Sequence, residues 1–272
     1  MDTFYSAPTV TWLASQLPAH AAAGAGGADP LLTPAWLLAG IPHRADPDER
    51  ARFKADQPAL RQLPADAPRT RLLAQADEAP LWRQQRSHRR FSNEPLQDAQ
   101  LAKLLGCLRS LELDGVPKRH YASAGGLYPV QSYLYIKPGR SAGCPSGFHY
   151  YAPDAHELVN IGPAYTELRE HYDPIVNRPI FDQSAFAMFF VADLAVIGSL
   201  YPEHALHYAA LETGHMTQLL EMSAADASIG LCQTGGLDHE ALQPLLQLGP
   251  TCRLLHGLLG GGIAADADPL PG

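Results

Sequence analysis

Residues 185–192, AFAMFFVA, form an almost continuous apolar run bounded by the polar Ser184 and Asp193. A run of that length suits a central strand buried on both faces, because neither side of it offers a polar residue to water. Such a strand needs partner strands beside it and apolar cover above and below. The chain supplies both. Ser132–Lys137 and Phe148–Tyr151 alternate like short strands, the second flanked by turn signals at GCPSG and APDAHE, and SIGLC and RLLHGLLGG add two more. Helical periodicity appears in Leu101, Leu104, Leu105 and Leu108, in a long stretch over 203–225, in HEALQPLLQ, and in APLWRQQRS from residue 79. Helices and strands mix without strict alternation, which makes the fold class α+β with a central sheet.

With 272 residues and 46% hydrophobic composition, the chain can bury one large core. Residues 1–76 are rich in Ala, Pro and Asp, with linkers at HAAAGAGGADP and LPADAPR, and read as an extension with short helices. Residues 77–263 form the main domain, and 264–272 a flexible tail. The net charge of −8 and a pI near 5.8 argue against nucleic acid as the main partner, since phosphate contacts need a basic stripe. Cys107, Cys144, Cys232 and Cys252 lie far apart without a C-x-x-C pair, the pattern of reduced thiols in a cytoplasmic protein. The first basic residue is Arg44, so no secretory signal is expected, and the apolar PLLTPAWLLAGIP is broken by Pro34 and too short to span a bilayer.

Three constellations are able to carry chemistry. RQQRSHRRF at 83–91 sets four arginines around a serine and a histidine, a set that suits a phosphate through bidentate guanidinium bonds; a solvated basic face is the competing reading. In YASAGGLYPV the small residues Ser123, Ala124, Gly125 and Gly126 uncover the backbone, so that a flat or anionic ligand is able to lie against it. This is not a Walker loop, and GLLGGG at 257–262 lacks the helix and acidic residue of a dinucleotide fingerprint. In YPEHALHYAALETGHMTQ, His204, His207 and Glu212 raise a metal site, but the ligand set is too thin and capping or solvated histidines fit better.

Taken in order, RSHRRF, ASAGGLYPVQSYLY, FHYYAPDAHEL, NRPIFDQSAF, LETGHMTQLL and IGLCQTGGLD resemble the oxidase domains of nonribosomal peptide synthetases. Those are azoline oxidases of the FMN-dependent nitroreductase superfamily, related to the SagB-type dehydrogenases, and the likeness spans residues 48–263. It implies a nitroreductase-like mixed or antiparallel sheet flanked by helices, in an interlocked homodimer with FMN at the subunit interface. It implies that Arg86, Ser87 and Arg89 hold the FMN phosphate and ribityl chain. Ser123, Ala124, Gly125, Gly126 and Leu127 of the other subunit would run along the isoalloxazine, and Thr234, Gly235 and Gly236 would form the turn near flavin N5. The implied reaction converts a thiazoline or oxazoline on a peptidyl carrier protein to the azole, with O₂ as acceptor. A nicotinamide-dependent nitro or quinone reductase and a flavin-free docking partner are the alternatives. Two departures stand out: no Lys or Arg follows Leu255, and the family's Lys-Tyr pair reads Leu200-Tyr201, leaving Tyr201 as the matching catalytic residue, with His204 or His207 as substitutes for the missing lysine.

Overall fold

The structure, a computed structural model, describes residues 46–56, 70, 86–235 and 237–264. The chain divides into two compact units, Met1–Leu72 and Leu73–Gly272. The described part of the first is helix α1, Pro47–Ala55. Its start follows from local chemistry: the Asp46 carboxylate accepts the Asp48 N–H at 3.2 Å, Pro47 sits in the first turn, and Asp48 and Glu49 place negative charge at the helix N-terminus.

In the second unit, α2 (Asp98–Leu105) precedes a two-stranded hairpin of β1 (Leu111–Leu113) and β2 (Val116–Lys118). Then come β3 (Val130–Ile136), β4 (Gly147–Ala152), β5 (Glu157–Gly162), α3 (Asn177–Gln183) and β6 (Phe186–Asp193). The chain continues through α4 (Leu194–Gly198), α5 (Ala205–Asp226), β7 (Ile229–Thr234), α6 (His239–Leu245) and β8 (Cys252–Gly262). The main sheet has the order β5-β4-β3-β6-β8-β7, and every neighbouring pair is antiparallel.

β6 sits inside this sheet as its apolar run dictates, with Phe186–Ala192 buried. Its side chains divide the core. Phe186, Met188 and Phe190 pack with Leu101, Leu104, Leu134, Met216 and Leu220 on the side of α2 and α5, whereas Ala187, Phe189 and Val191 pack with Tyr133, Phe181, Leu242 and Leu259 on the other. The alternation is the strand period of two, here apolar on both counts. α5 delivers Ala209, Met216, Leu220 and Ala224 to the first cluster, and Leu101, Leu104, Leu105 and Leu108 are all buried as their spacing predicts.

The sequence reading differs from the structure in several places, one of which is α3, a helix that the sequence reading does not mark. The helix expected over 79–87 lies mostly outside the described residues, and its last two positions, Arg86 and Ser87, have non-helical backbone. The β1–β2 hairpin was not anticipated, although its Asp114-Gly115 turn, with φ of 54° and 75°, is the type that two-residue hairpins demand. β5 was missed because it is an edge strand whose burial hardly alternates. α4, five residues started by the Asp193 carboxylate on the Ala195 N–H, is too short to show a period.

The β6–β8 contact leaves no room for a side chain at Gly260: a Cβ there would lie 2.2 Å from Cζ of the buried Phe186. Gly260→Ala is therefore expected to destabilise the protein by about 1–3 kcal/mol through overpacking. Denaturant unfolding reads this as a lower midpoint at unchanged m-value; an unchanged midpoint refutes it.

Candidate functional site

The glycine loop precedes β3. Gly125 and Gly126 have φ of 62° and 66°, and Tyr128, at 50°, shares the left-handed region. The loop ties itself: the Ser123 hydroxyl accepts the Tyr128 N–H at 2.9 Å, and the Ser123 carbonyl accepts the Gly126 N–H at 3.1 Å. Ala124 and Leu127 complete this short turn, with Gly125 and Gly126 exposed. Glycine at 125 is favoured twice over, by its φ and because a Cβ would lie 3.2 Å from the Tyr201 hydroxyl oxygen, close enough to push it aside. Tyr201 is thus seated against the loop. It reaches that place from the α4–α5 connection, where its N–H donates to the Ile197 carbonyl at 3.0 Å and its ring stands edge-on to Tyr208 at 5.2 Å.

α5 backs the same loop. The Val130 N–H donates to Glu212 Oε1 at 3.2 Å, and His215 Nδ1 lies 3.3 Å from the Ala122 carbonyl oxygen. Glu212 is 2% exposed and its Oε2 has no hydrogen-bond partner. Burial pushes its carboxyl up to about 6, against the opposing pull of the Ser123 hydroxyl, the Val130 N–H, Arg119 and His215. Arg119 lies over the Tyr128 ring at 5.6 Å, its backbone N–H donates to the Tyr128 hydroxyl at 3.3 Å, and its buried Nη1 is unpartnered. Arg119, Tyr121, Tyr128, Val130 and Met216 line part of a cavity of about 120 Å³ beside the loop. The His204 and His207 rings lie tilted against Tyr208, at 5.6 and 5.8 Å, and among the described residues no three ligating side chains converge on a metal.

The arginine cluster lies elsewhere. The segment lies against the open edge of β7 and the end of β8, with the His88 N–H on the Leu231 carbonyl of β7 at 2.8 Å and the Ser92 N–H on the Gly262 carbonyl of β8 at 2.8 Å. The His88 ring covers Gly230, where a Cβ would lie 2.6 Å from its Cγ. Burial, and secondarily the Arg86 charge, hold His88 below the usual imidazole range, so its Nε2 accepts from Arg86 Nε at 3.4 Å. Arg86, Ser87 and Arg89 are exposed, and among the described residues neither arginine pairs with a carboxylate. Arg89 is close enough to Cys232 to favour its thiolate, against the dominant effect of burial. Because residue 92 is level with the start of β7, Arg86 and Ser87 extend toward its far end. There Thr234 is buried with Oγ1 unpartnered, and the exposed Gly235 offers its carbonyl to the Asn177 amide. Gly236 lies outside the described residues.

One chain therefore keeps the loop and the arginines apart. Ile136 pairs with Phe186, which pairs with Gly260, which pairs with Leu231, the strand residue bonded to His88. From Val130, at the loop's root, to the level of His88 is six residues, about 20 Å, and to the level of Thr234, which is that of Tyr133, three residues, about 10 Å; from β3 to β7 is three strand spacings, about 14 Å. Sequence reasoning gave no sign that Tyr201 meets Gly125, 76 positions apart, nor that Glu212, weighed only as a metal ligand, holds Val130.

Comparison with known proteins agrees with this architecture. The chain is similar to indigoidine synthase of Dickeya dadantii (strain 3937), 26% identical over 125 residues, 45% of this chain and 7% of that protein. The indigoidine synthase of Streptomyces lavendulae is 29% identical over 106 residues, 39% and 7%. The chain thus spans about 7% of the length of these curated relatives. Among solved structures it resembles the E. coli microcin synthetase McbBCD complex with truncated pro-MccB17 bound, with a TM-score of 0.62 and 17% identity over 84% of this chain and 86% of that one. A putative nitroreductase from Ralstonia eutropha JMP134 gives a TM-score of 0.56 and 20% identity over 72% and 88%. The sequence pattern of the Nitroreductase family matches residues 82–261, from just before the arginine cluster through all six strands but the last residue of β8, and the chain belongs to that family of oxidoreductases.

Proposed function

We propose that this chain is an FMN-dependent oxidase that converts a carrier-tethered thiazoline or oxazoline to the aromatic azole. The observation that carries the reading is the exposed Arg86–Ser87–Arg89 cluster, which lacks a carboxylate partner among the described residues and shares the β7 edge with the orphaned Thr234 hydroxyl. Cations without a counter-ion suit one terminal phosphate, and a backbone stripped of side chains at Gly125–Gly126 suits a flat ring. The residues present therefore fit FMN. The loop and the arginines are too far apart within one chain to hold the same flavin, which supports a homodimer in which one copy's clamp and Thr234–Gly235 face the other copy's loop. The proposed flavin domain covers residues 77–263, with an extension before it and a tail after it.

When bound, FMN supplies the two-electron acceptor, and O₂ takes the electrons on to hydrogen peroxide. The chain's own residues do the rest. Arg86, Ser87 and Arg89 fix the phosphate, the loop of Ser123–Leu127 presses water away from the ring, and Tyr201, seated at Gly125, receives or relays the proton lost from the azoline Cα. Tyr201 and the loop then come from one copy and the phosphate clamp from the other. Similarity to indigoidine synthase and to the microcin synthetase complex supports a substrate delivered during assembly of a natural product, with a peptidyl carrier protein as partner.

Incubation of the full chain with thiazoline-loaded carrier under air tests this. A loss of two hydrogens without added nicotinamide is expected; NADPH oxidation with nitroaromatics and no azoline turnover assigns the chain to the reductases instead. Arg86→Ala combined with Arg89→Ala is expected to bleach the yellow protein, and full flavin occupancy in that variant refutes the clamp. Tyr201→Phe is expected to keep FMN and lose about 10²-fold in kcat, the usual size of an acid–base contribution. Near-normal turnover in the Phe variant removes Tyr201 from the mechanism.

A further inference from the structure

The flavin reading leaves the buried carboxyl of Glu212 without a task. Glu212 is on the inner face of α5, one turn beyond Tyr208 and one turn before Met216, at a position that helical spacing assigns to the core. A carboxylate there gains little from water, and a side chain of the same length without charge would pack as well. What it touches is the loop. Its Oε1 accepts the amide of Val130, the first residue of β3, and its Oε2 is buried without a partner. Ser123 and Tyr121 face it from the loop, Arg119 from the segment before it, and His215 from its own helix.

We propose that Glu212 is the positioning residue of the glycine loop, a carboxyl that closes Ser123–Val130 onto α5, so that opening of the loop and loss of its proton are linked. The inference rests on the role proposed for that loop in covering the flavin. The closed loop buries the carboxyl among Val130, Tyr121 and Met216, whereas an open loop returns it to water. Burial pushes the closed-state value up to about 6, so the closed form holds its proton more tightly than a solvated glutamate does. The sign follows. Below the ordinary glutamate range both forms are protonated and closure is strongest; as pH rises to about 6 the closed form gives up its proton at a penalty, and above that closure is weaker by a constant factor. Arg119 and His215 limit the penalty without removing it. Tyr121 takes no part in the titration, since burial first, and Glu212 second, push its hydroxyl far above neutrality.

Hydrogen–deuterium exchange of peptides covering residues 122–130, corrected for intrinsic rates, tests the link in the full-length protein with and without added FMN. In the wild type, exchange is expected to rise roughly tenfold or more as pH increases from about 4.5 to about 7, the factor set by the raised carboxyl value. Glu212→Gln keeps an acceptor for the Val130 amide and has no charge to lose, so its exchange should be slow and flat with pH. Glu212→Ala leaves that amide without an acceptor and should exchange fast throughout. A flat wild type overturns the proposal, as does a Gln variant that titrates like the wild type, which assigns the step to His215, or an Ala variant as protected as the Gln. Ser123→Ala removes a neighbour of the carboxyl and also the acceptor of the Tyr128 N–H, so exchange should be faster overall while the step is kept and shifts to higher pH. Exchange is read whether or not flavin binds, so a colourless protein refutes the proposed function while leaving this measurement intact.

Discussion

The structure depends on a strand that is hydrogen-bonded on both edges and buried on both faces. β6 pairs with β3 along seven positions and with β8 along eight, and its alternate side chains enter two separate cores. Nothing polar along Phe186–Ala192 allows either face to open, so cover must come from both sides. On one side that cover is α5. The helix runs 22 residues, about 33 Å at 1.5 Å per residue, from the Tyr201 connection to the start of β7. The same element that covers β6 therefore fixes the glycine loop near its beginning and leads into the β7 edge at its end.

The buried polar atoms that lack partners fall mostly where ligands would be expected. Among the described residues, Glu212 Oε2 and Arg119 Nη1 lie around the glycine loop and Thr234 Oγ1 at the end of β7, while two more belong to Arg140 and Arg178, whose remaining nitrogens are bonded. Elsewhere the interior satisfies itself: Tyr151 donates to the Leu105 carbonyl at 3.0 Å, and His149 is met by the Gly147 carbonyl and the Asn160 amide. A native interior leaves few such atoms idle, and idle ones cluster where another molecule or a moving proton completes them.

What the sequence disclosed tracks how local the determining physics is. β6, α5 and the Leu101–Leu108 face were legible because their burial is periodic within a few turns, and both faces of the sheet follow from them. β5 was not, since an edge strand with one exposed face and a bulge at Phe148/His149 shows no clean alternation. The neighbours of the arginine cluster look helical in the sequence; in the structure its backbone bonds to the Leu231 carbonyl of β7 and the Gly262 carbonyl at the end of β8. That pairing, like the meeting of Tyr201 with Gly125 and of Glu212 with Val130, joins segments far apart in sequence, and single-chain periodicity carries no record of it.

The same long-range geometry bears on the proposed arrangement, in which two copies of the chain complete one flavin site. An isolated chain presents guanidinium groups along β7 with nothing to neutralise them among the described residues, and a bare glycine turn some 25 Å away by strand spacing. Neither feature is stable alone in the sense that matters for binding: the cations repel one another until an anion arrives, and the turn offers a flat ring only one face. A ligand with a phosphate at one end and a planar ring at the other satisfies both needs when the two features belong to different copies. In that proposed arrangement cofactor binding and association would strengthen each other by linkage, because whichever formed first would prepare the partner surface of the other.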